Sequence, residues 1–253
     1  MKPFLALLAA WVIATSVLPA QTSLATQAKP PTIVLVSGEF EYQSKVTLPA
    51  FKQFLETNYT FNCIYLERGK GNDIPGLEAL DRADLVIFFI RRMTLPEEQL
   101  AKIKNHVESG RPLIALRTSS HAFENWKEFD RQVLGGNYHN HFPDKLTTTA
   151  RINPSVSGHP ILRDVAGEFV AGGSLYKTSP VSVNATVLLA GSVTNQPAEP
   201  ITWTHRCGDA RIFYTSLGHP KDFENPSFRR LLVNAIFWAL NDRAQNPTDR
   251  THH

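Results

Sequence analysis

The chain of 253 residues holds only two cysteines and two methionines. So little cysteine excludes a disulfide framework or a cysteine-rich metal cluster as the source of stability. Cys63 lies in an apolar, strand-like run and Cys207 beside a turn glycine. They could pair in an oxidising compartment, but nothing in the sequence shows that they meet, and both read as structural. Blocks of one charge are missing too. The formal charge is +3 and the basic residues are scattered, which makes nucleic acid a poor partner. There is no internal repeat and no low-complexity segment. Long apolar runs are limited to Phe4–Leu18. Its about 15 apolar residues fall short of the roughly 20 a membrane span needs. After Lys2 this run reads as a secretory signal peptide, residues 1–25, cleaved after Ser23-Leu24-Ala25 or alternatively after Leu18-Pro19-Ala20. No cysteine follows it, so a lipid anchor is not expected. A periplasmic or secreted protein with no stable membrane span after cleavage is the consequence.

What is present fits one domain, residues 29–242, large enough to bury a core without covalent staples. A polar tail at 243–253, with Pro247 and no periodicity, should fray. Thr32–Val36 reads as a strand, and Val46, Leu48, Phe51 and Leu55 place a helix over Lys45–Glu56. Phe61–Leu66 is a second strand and Leu77–Arg82 a short helix. Leu85–Ile90 is wholly apolar, as a strand covered on both faces must be. Pro96 opens a helix at its first position, with Leu100, Ile103 and Val107 on one face and Gly110 past its end. Pro112–Leu116 is the fourth strand. The alternation predicts a parallel sheet with right-handed crossovers. The second half changes to short β-like runs at Leu146–Ile152, Glu168–Val170, Thr186–Ala190, Ile201–His205 and Arg211–Ser216. The last two form a hairpin across a turn containing Gly208. Pro226 starts a helix with Asn225 as its cap and Phe228, Leu231, Leu232, Ala235, Ile236 and Ala239 as its apolar stripe.

Open α/β sheets place ligands at the carboxyl ends of their strands. Polar side chains gather at those ends here: Glu39, Glu41 and Tyr42 after the first strand, Arg91 and Arg92 after the third, and Arg117, Thr118, Ser119, Ser120 and His121 after the fourth. Asn137, His139, His141 and His219 are candidates from the second half. Each alone is commonly structural, but together they predict a site.

The segments LRTSSHAF (116–123), VLGGNYHNHF (133–142) and THRCGDARIFYTSLGHPKDFENPSFRRLLVNAIFWAL (204–240) resemble the ThuA-like, or trehalose-utilisation, family. EYQSKVTLPAF (41–51) and IPGLEALDRADLVIF (74–88) resemble the opening of its secreted members. The resemblance implies an α/β fold that is flavodoxin-like, of the class I glutamine amidotransferase-like kind, with extra β-strands in the second half. It also implies a role in sugar utilisation, oxidised 3-keto sugars included. Amidotransferases of that superfamily carry a Cys nucleophile at the turn after this strand. Here the turn holds Ser119-Ser120, so glutamine hydrolysis is not expected. Neither serine lies in the Gly-x-Ser-x-Gly setting of a nucleophile elbow, which favours hydrogen bonding to a ligand over attack.

The substrate class this suggests is a small carbohydrate or keto-sugar. Moving a proton beside a carbonyl needs a base and a group that holds the developing oxyanion. His121 and His219 are the candidate catalytic groups, and Arg117 is the candidate oxyanion partner. Glu41, Tyr42, Arg91, Ser119, Ser120, Trp126 and Asn137 are candidate substrate contacts, and Trp126 or Tyr138 could stack on a sugar ring. A glycosidase carboxylate pair would have to combine Glu39 or Glu41 with a distant group such as Asp222. His139 and His141 share one face if their segment is extended, a start for a zinc-type divalent site that still needs a third ligand such as His121 or His219. The competing reading is a non-catalytic carbohydrate-binding protein with the same pocket. Self-association as a homo-oligomer is left open.

Overall fold

The computed structural model describes residues 29–240. The expected signal peptide lies outside the described residues, as does the tail. Eleven strands and four α-helices run in order: β1 (Thr32–Gly38), α1 (Ser44–Asn58), β2 (Asn62–Glu67), β3 (Leu85–Ile90), α2 (Glu97–Glu108), β4 (Leu113–Leu116), β5 (Asn140–His141), β6 (Thr148–Ile152), β7 (Glu168–Ala171), β8 (Tyr176–Lys177), β9 (Thr186–Ser192), β10 (Glu199–Cys207), β11 (Ala210–Thr215), α3 (Pro220–Glu224) and α4 (Pro226–Ala239). Nine strands form one sheet in the order β2-β1-β3-β4-β11-β10-β9-β6-β7. The first five are parallel, in the order that defines a flavodoxin-like half. The other four are antiparallel.

Sequence and burial explain this layering. β1, β3 and β4 are buried along their whole length, as strands covered by helices on both faces must be. Alternate residues divide between two cores. Ile33, Leu35, Ile87, Phe89 and Ile114 pack toward α1 and α4. Val34, Val36, Val86, Phe88 and Leu113 pack toward α2. All six residues of the expected α4 stripe are buried, each worth roughly 1.5–3 kcal/mol if large and aliphatic or aromatic. Asn225 accepts the Ser227 N–H at 2.9 Å and caps the helix.

Differences from the sequence reading are local. Pro96 sits one residue before α2 as its N-cap, with extended ψ of 145°, and Glu97 and Glu98 fill the first turn, where the helix dipole favours them. Several short elements, α3 among them, lie outside that reading. A two-residue ladder joins β5 to β8, Arg117–His121 is a tight 3-10 turn and Asp130–Leu134 a wider π-helical turn. Cys63 and Cys207 are both free thiols. No helix among the described residues is long and apolar enough to cross a membrane.

Candidate functional site

β4 ends at Leu116, and the chain turns at once into the Arg117–His121 helical turn. The residue that takes the strained left-handed conformation is Arg117, with φ of 41°. Neither Ser119 nor Ser120 therefore occupies the tip of the turn. Ser119 is tied into the sheet, donating to the Phe88 carbonyl at 3.0 Å and accepting the Ile90 N–H at 3.1 Å. It is 0% exposed and holds β3 to the turn rather than facing a ligand.

Arg117 is 1% exposed. Its guanidinium donates to the Ser216 carbonyl at 2.7 Å, the Ser174 hydroxyl at 3.2 Å and the Tyr42 hydroxyl at 3.2 Å. The ring centroids of Tyr42 and Tyr176 lie 4.2 and 4.6 Å from its Cζ. Gly173 makes room for it, since a Cβ there would come within 2.6 Å of Cζ. Burial works against the charge, but Tyr176, Tyr42 and Asp222 hold its pKa above the ordinary value. Arg117 is thus a fixed internal cation whose two terminal nitrogens are held by protein partners, while its buried Nε has none. The direct oxyanion contact expected of it is not what its position offers.

A cavity of about 610 Å³ opens beside this cation, within the size range of small-molecule pockets. Its wall includes Arg92, Ser120, His121, Asp130, Asn137 and Tyr138. His121 is half-buried; its ring stacks on Tyr138 at 4.6 Å, and its Nδ1 lies 3.1 Å from the Ser120 hydroxyl. Burial first, then the cations Arg91, Arg92 and Arg117, and also His141, pull its pKa down to about 3. The imidazole is therefore neutral near physiological pH. Tyr176, delivered by β8, leans on Tyr138 at 4.5 Å and joins the cavity wall to Arg117.

The remaining candidates are placed as follows. Asn137 lines the cavity and donates to the Ser179 carbonyl at 3.1 Å. Glu41 and Arg91 form an ion pair of 2.7 Å beside the site. Tyr42 lies under Arg117. His219 caps α3, accepting the Lys221 N–H at 3.2 Å, and meets Tyr42 edge-on at 6.1 Å. It is absent from the cavity wall. Trp126 stacks on Phe123, meets Phe129 edge-on and carries Lys104 over its ring, so it belongs to an aromatic cluster rather than to the cavity. The suggested carboxylate pair is unavailable: Glu39 is spent on the Tyr42 and Ser44 N–H groups, and Asp222 on those of Gly172, Gly218 and His219.

His139 and His141 are exposed, and each has its Nδ1 against a backbone carbonyl, of Asn137 and Phe142. Among the described residues, no group of three His, Cys, Asp or Glu is arranged to hold a metal ion. The donors present do not fit the zinc-type site, which needs three protein ligands.

Sequence reasoning missed Asp130 and Tyr176. Tyr176 comes from a two-residue strand too short to carry a pattern. Asp130 reads as one more charge among Lys127, Glu128 and Arg131. Gly135-Gly136 was the available signal, because paired glycines permit a close backbone approach.

A family model described as trehalose utilisation, ThuA, matches residues 33–239. Among solved structures, the chain is similar to a ThuA-like protein of Parabacteroides merdae, with 18% identity, TM-score 0.67, and 86% of this chain and 92% of that one covered. A ThuA-like protein of Bacteroides uniformis gives 19%, 0.64, 85% and 94%. A β-galactosidase of Bacillus circulans shares the fold at 13% identity and TM-score 0.59, over 86% of this chain and 32% of the enzyme. No curated protein matches in sequence. With its flavodoxin-like sheet and a match spanning nearly all the described residues, the chain belongs to the ThuA, or trehalose-utilisation, family.

Proposed function

We propose that this protein is an exported enzyme that takes a small sugar or keto-sugar into the cavity beside Arg92 and His121 and moves a proton next to its carbonyl. The observation that carries the reading is His121: a neutral imidazole on the wall of a ligand-sized cavity, with arginines beside it. When a C–H bond beside a carbonyl breaks, negative charge gathers on the oxygen, and donors already in place stabilise it most. Arg92 supplies positive charge there. A neutral imidazole donates a hydrogen bond without bringing a competing charge, a role histidines take when their pKa is driven down. The exposed part of the Tyr138 ring offers an apolar face to the C–H side of a sugar. The family description, trehalose utilisation, supports a carbohydrate. Export rests on the Phe4–Leu18 run.

Incubation of the purified protein with oxidised and unoxidised disaccharides, followed by NMR, tests this. Conversion of an oxidised sugar is expected. His121→Ala should abolish it while leaving a cooperative melting transition. The low basicity of His121 favours a second reading, since a group of pKa about 3 is a poor base near neutrality. Ligand shifts without product would establish that alternative, a carbohydrate-binding protein.

A further inference from the structure

Asp130 stands in the wall of the same cavity, at the start of the Asp130–Leu134 turn, and is 8% exposed. Its Oδ2 accepts the Tyr138 N–H at 2.7 Å. Its Oδ1 is buried with no hydrogen-bond partner. The backbone closes over that oxygen, and a Cβ on Gly136 would lie 2.2 Å from it, so only glycine fits. A buried carboxyl oxygen without a donor is costly. A proton on the carboxyl removes much of that cost, so the group is set to take one up, and Asp130 stands in the wall of a cavity where a ligand can deliver it.

We propose that Asp130 is the proton-transfer residue of this cavity, taking the proton from the carbon next to a keto-sugar's carbonyl while Arg92 and His121 hold the carbonyl oxygen. The proposal rests on the keto-sugar reading of the site. In the step, the C–H bond breaks and its proton goes to the Asp130 carboxylate. The C–H electron pair becomes a carbon–carbon double bond, and the carbonyl π pair moves onto oxygen. Return of a proton to the carbon restores the carbonyl, with inversion if it arrives from the other face. No co-reactant is consumed.

The surroundings suit this task. Burial pushes the Asp130 carboxyl up to about 7, against the opposing pull of the Tyr138 N–H and Arg131. A carboxyl that is half-ionised near neutrality is an efficient proton carrier. Arg131 faces it from its own turn, Tyr214 from β11, and His121 and Arg92 from the rest of the cavity wall. Lys127, Glu124 and Glu128 complete the charged lining.

The probe is methyl 3-oxo-glucopyranoside in D₂O with the purified protein, followed by proton NMR. Loss of the C–H signals beside the carbonyl is expected, rising with pH toward a plateau above 7. Asp130→Asn should slow the exchange about 100-fold or more while the saturation-transfer signal of the bound probe persists. Exchange by Asp130→Asn at the wild-type rate would overturn the role of Asp130 and leave the reading of the cavity intact. A wild-type protein that neither exchanges nor binds the probe would overturn that reading, and this proposal with it. A readout independent of any sugar is the carboxyl-carbon titration of Asp130 in ¹³C-labelled wild-type protein, expected near pH 7. A midpoint below about 5 would sink the proposal whatever the sugars do.

Discussion

At Asp130, the burial that suits a proton carrier works against stability. Its pKa in the fold is about 7, above the ordinary 3.8. The fold is favoured while the carboxyl is protonated in both states, and that advantage drains away as pH rises from 3.8 to about 7. At about 1.4 kcal/mol per pH unit, the loss is on the order of 4 kcal/mol by pH 8. Asp130→Asn cannot ionise and should be more stable than wild type at pH 8, with the gap closing toward pH 4. Urea melts at both pH values measure it, and a constant gap would mean that Asp130 ionises as a surface carboxylate does. Only Gly135-Gly136 hints at this residue in the local sequence, because Lys127, Glu128 and Arg131 make the run look like a solvated face. Arg117 was legible as part of a site, but its role was not. Whether an arginine reaches a ligand or is boxed by Tyr42 and Tyr176 depends on β8, far away in sequence.

Elements with a strong period were legible: β3 was read to the residue, and α1 and α4 to within a few residues. Apolar runs and helical stripes are properties of a few neighbouring residues, so a sequence carries them. The β5–β8 ladder was not legible, since two residues per strand cannot show alternation. Its approach depends on Gly173, in the loop between β7 and β8. A methyl group there would meet the Arg117 guanidinium at 2.6 Å, and the guanidinium is held between two rings and cannot retreat. Gly173→Ala should therefore cost about 1–3 kcal/mol, the usual penalty of overpacking. Gly158 is the control: a Cβ there meets nothing within 4 Å. Gly158→Ala should be neutral or stabilise by up to about 1 kcal/mol through the unfolded chain. Equal effects of the two substitutions in denaturant melts would contradict the packing argument.

On the scale of the molecule, the parallel half sets where the candidate site lies, because the ends of β1, β3 and β4 all open on one edge of the sheet. That much followed from strand order. The strands of the second half and the β10–β11 hairpin were legible as well, but the pairing of β9, β6 and β7 and the way their loops cross back over that edge were not, because nothing local specifies how distant segments pair. Away from the site, His106 near the end of α2 gives the whole fold a defined acid limit. It is 0% exposed, its Nε2 lies 3.1 Å from the Pro112 carbonyl, and its Nδ1 has no partner. Burial, partly opposed by the Pro112 carbonyl, lowers its pKa from 6.5 to about 4. Between those values the unfolded chain binds a proton that the fold refuses, so stability falls as pH drops from 6.5 to 4. The full loss is roughly 3 kcal/mol. His106→Gln keeps a donor for Pro112 but has no titration, so its melting temperature should fall less than that of wild type between pH 7 and pH 4. His121, lowered to about 3, adds a slope of the same sign to both proteins and Asp130 one of opposite sign, so the difference between the two acid limbs is what reports His106. Identical acid limbs in the two proteins would mean that the Nδ1 of His106 finds a partner when it takes up its proton.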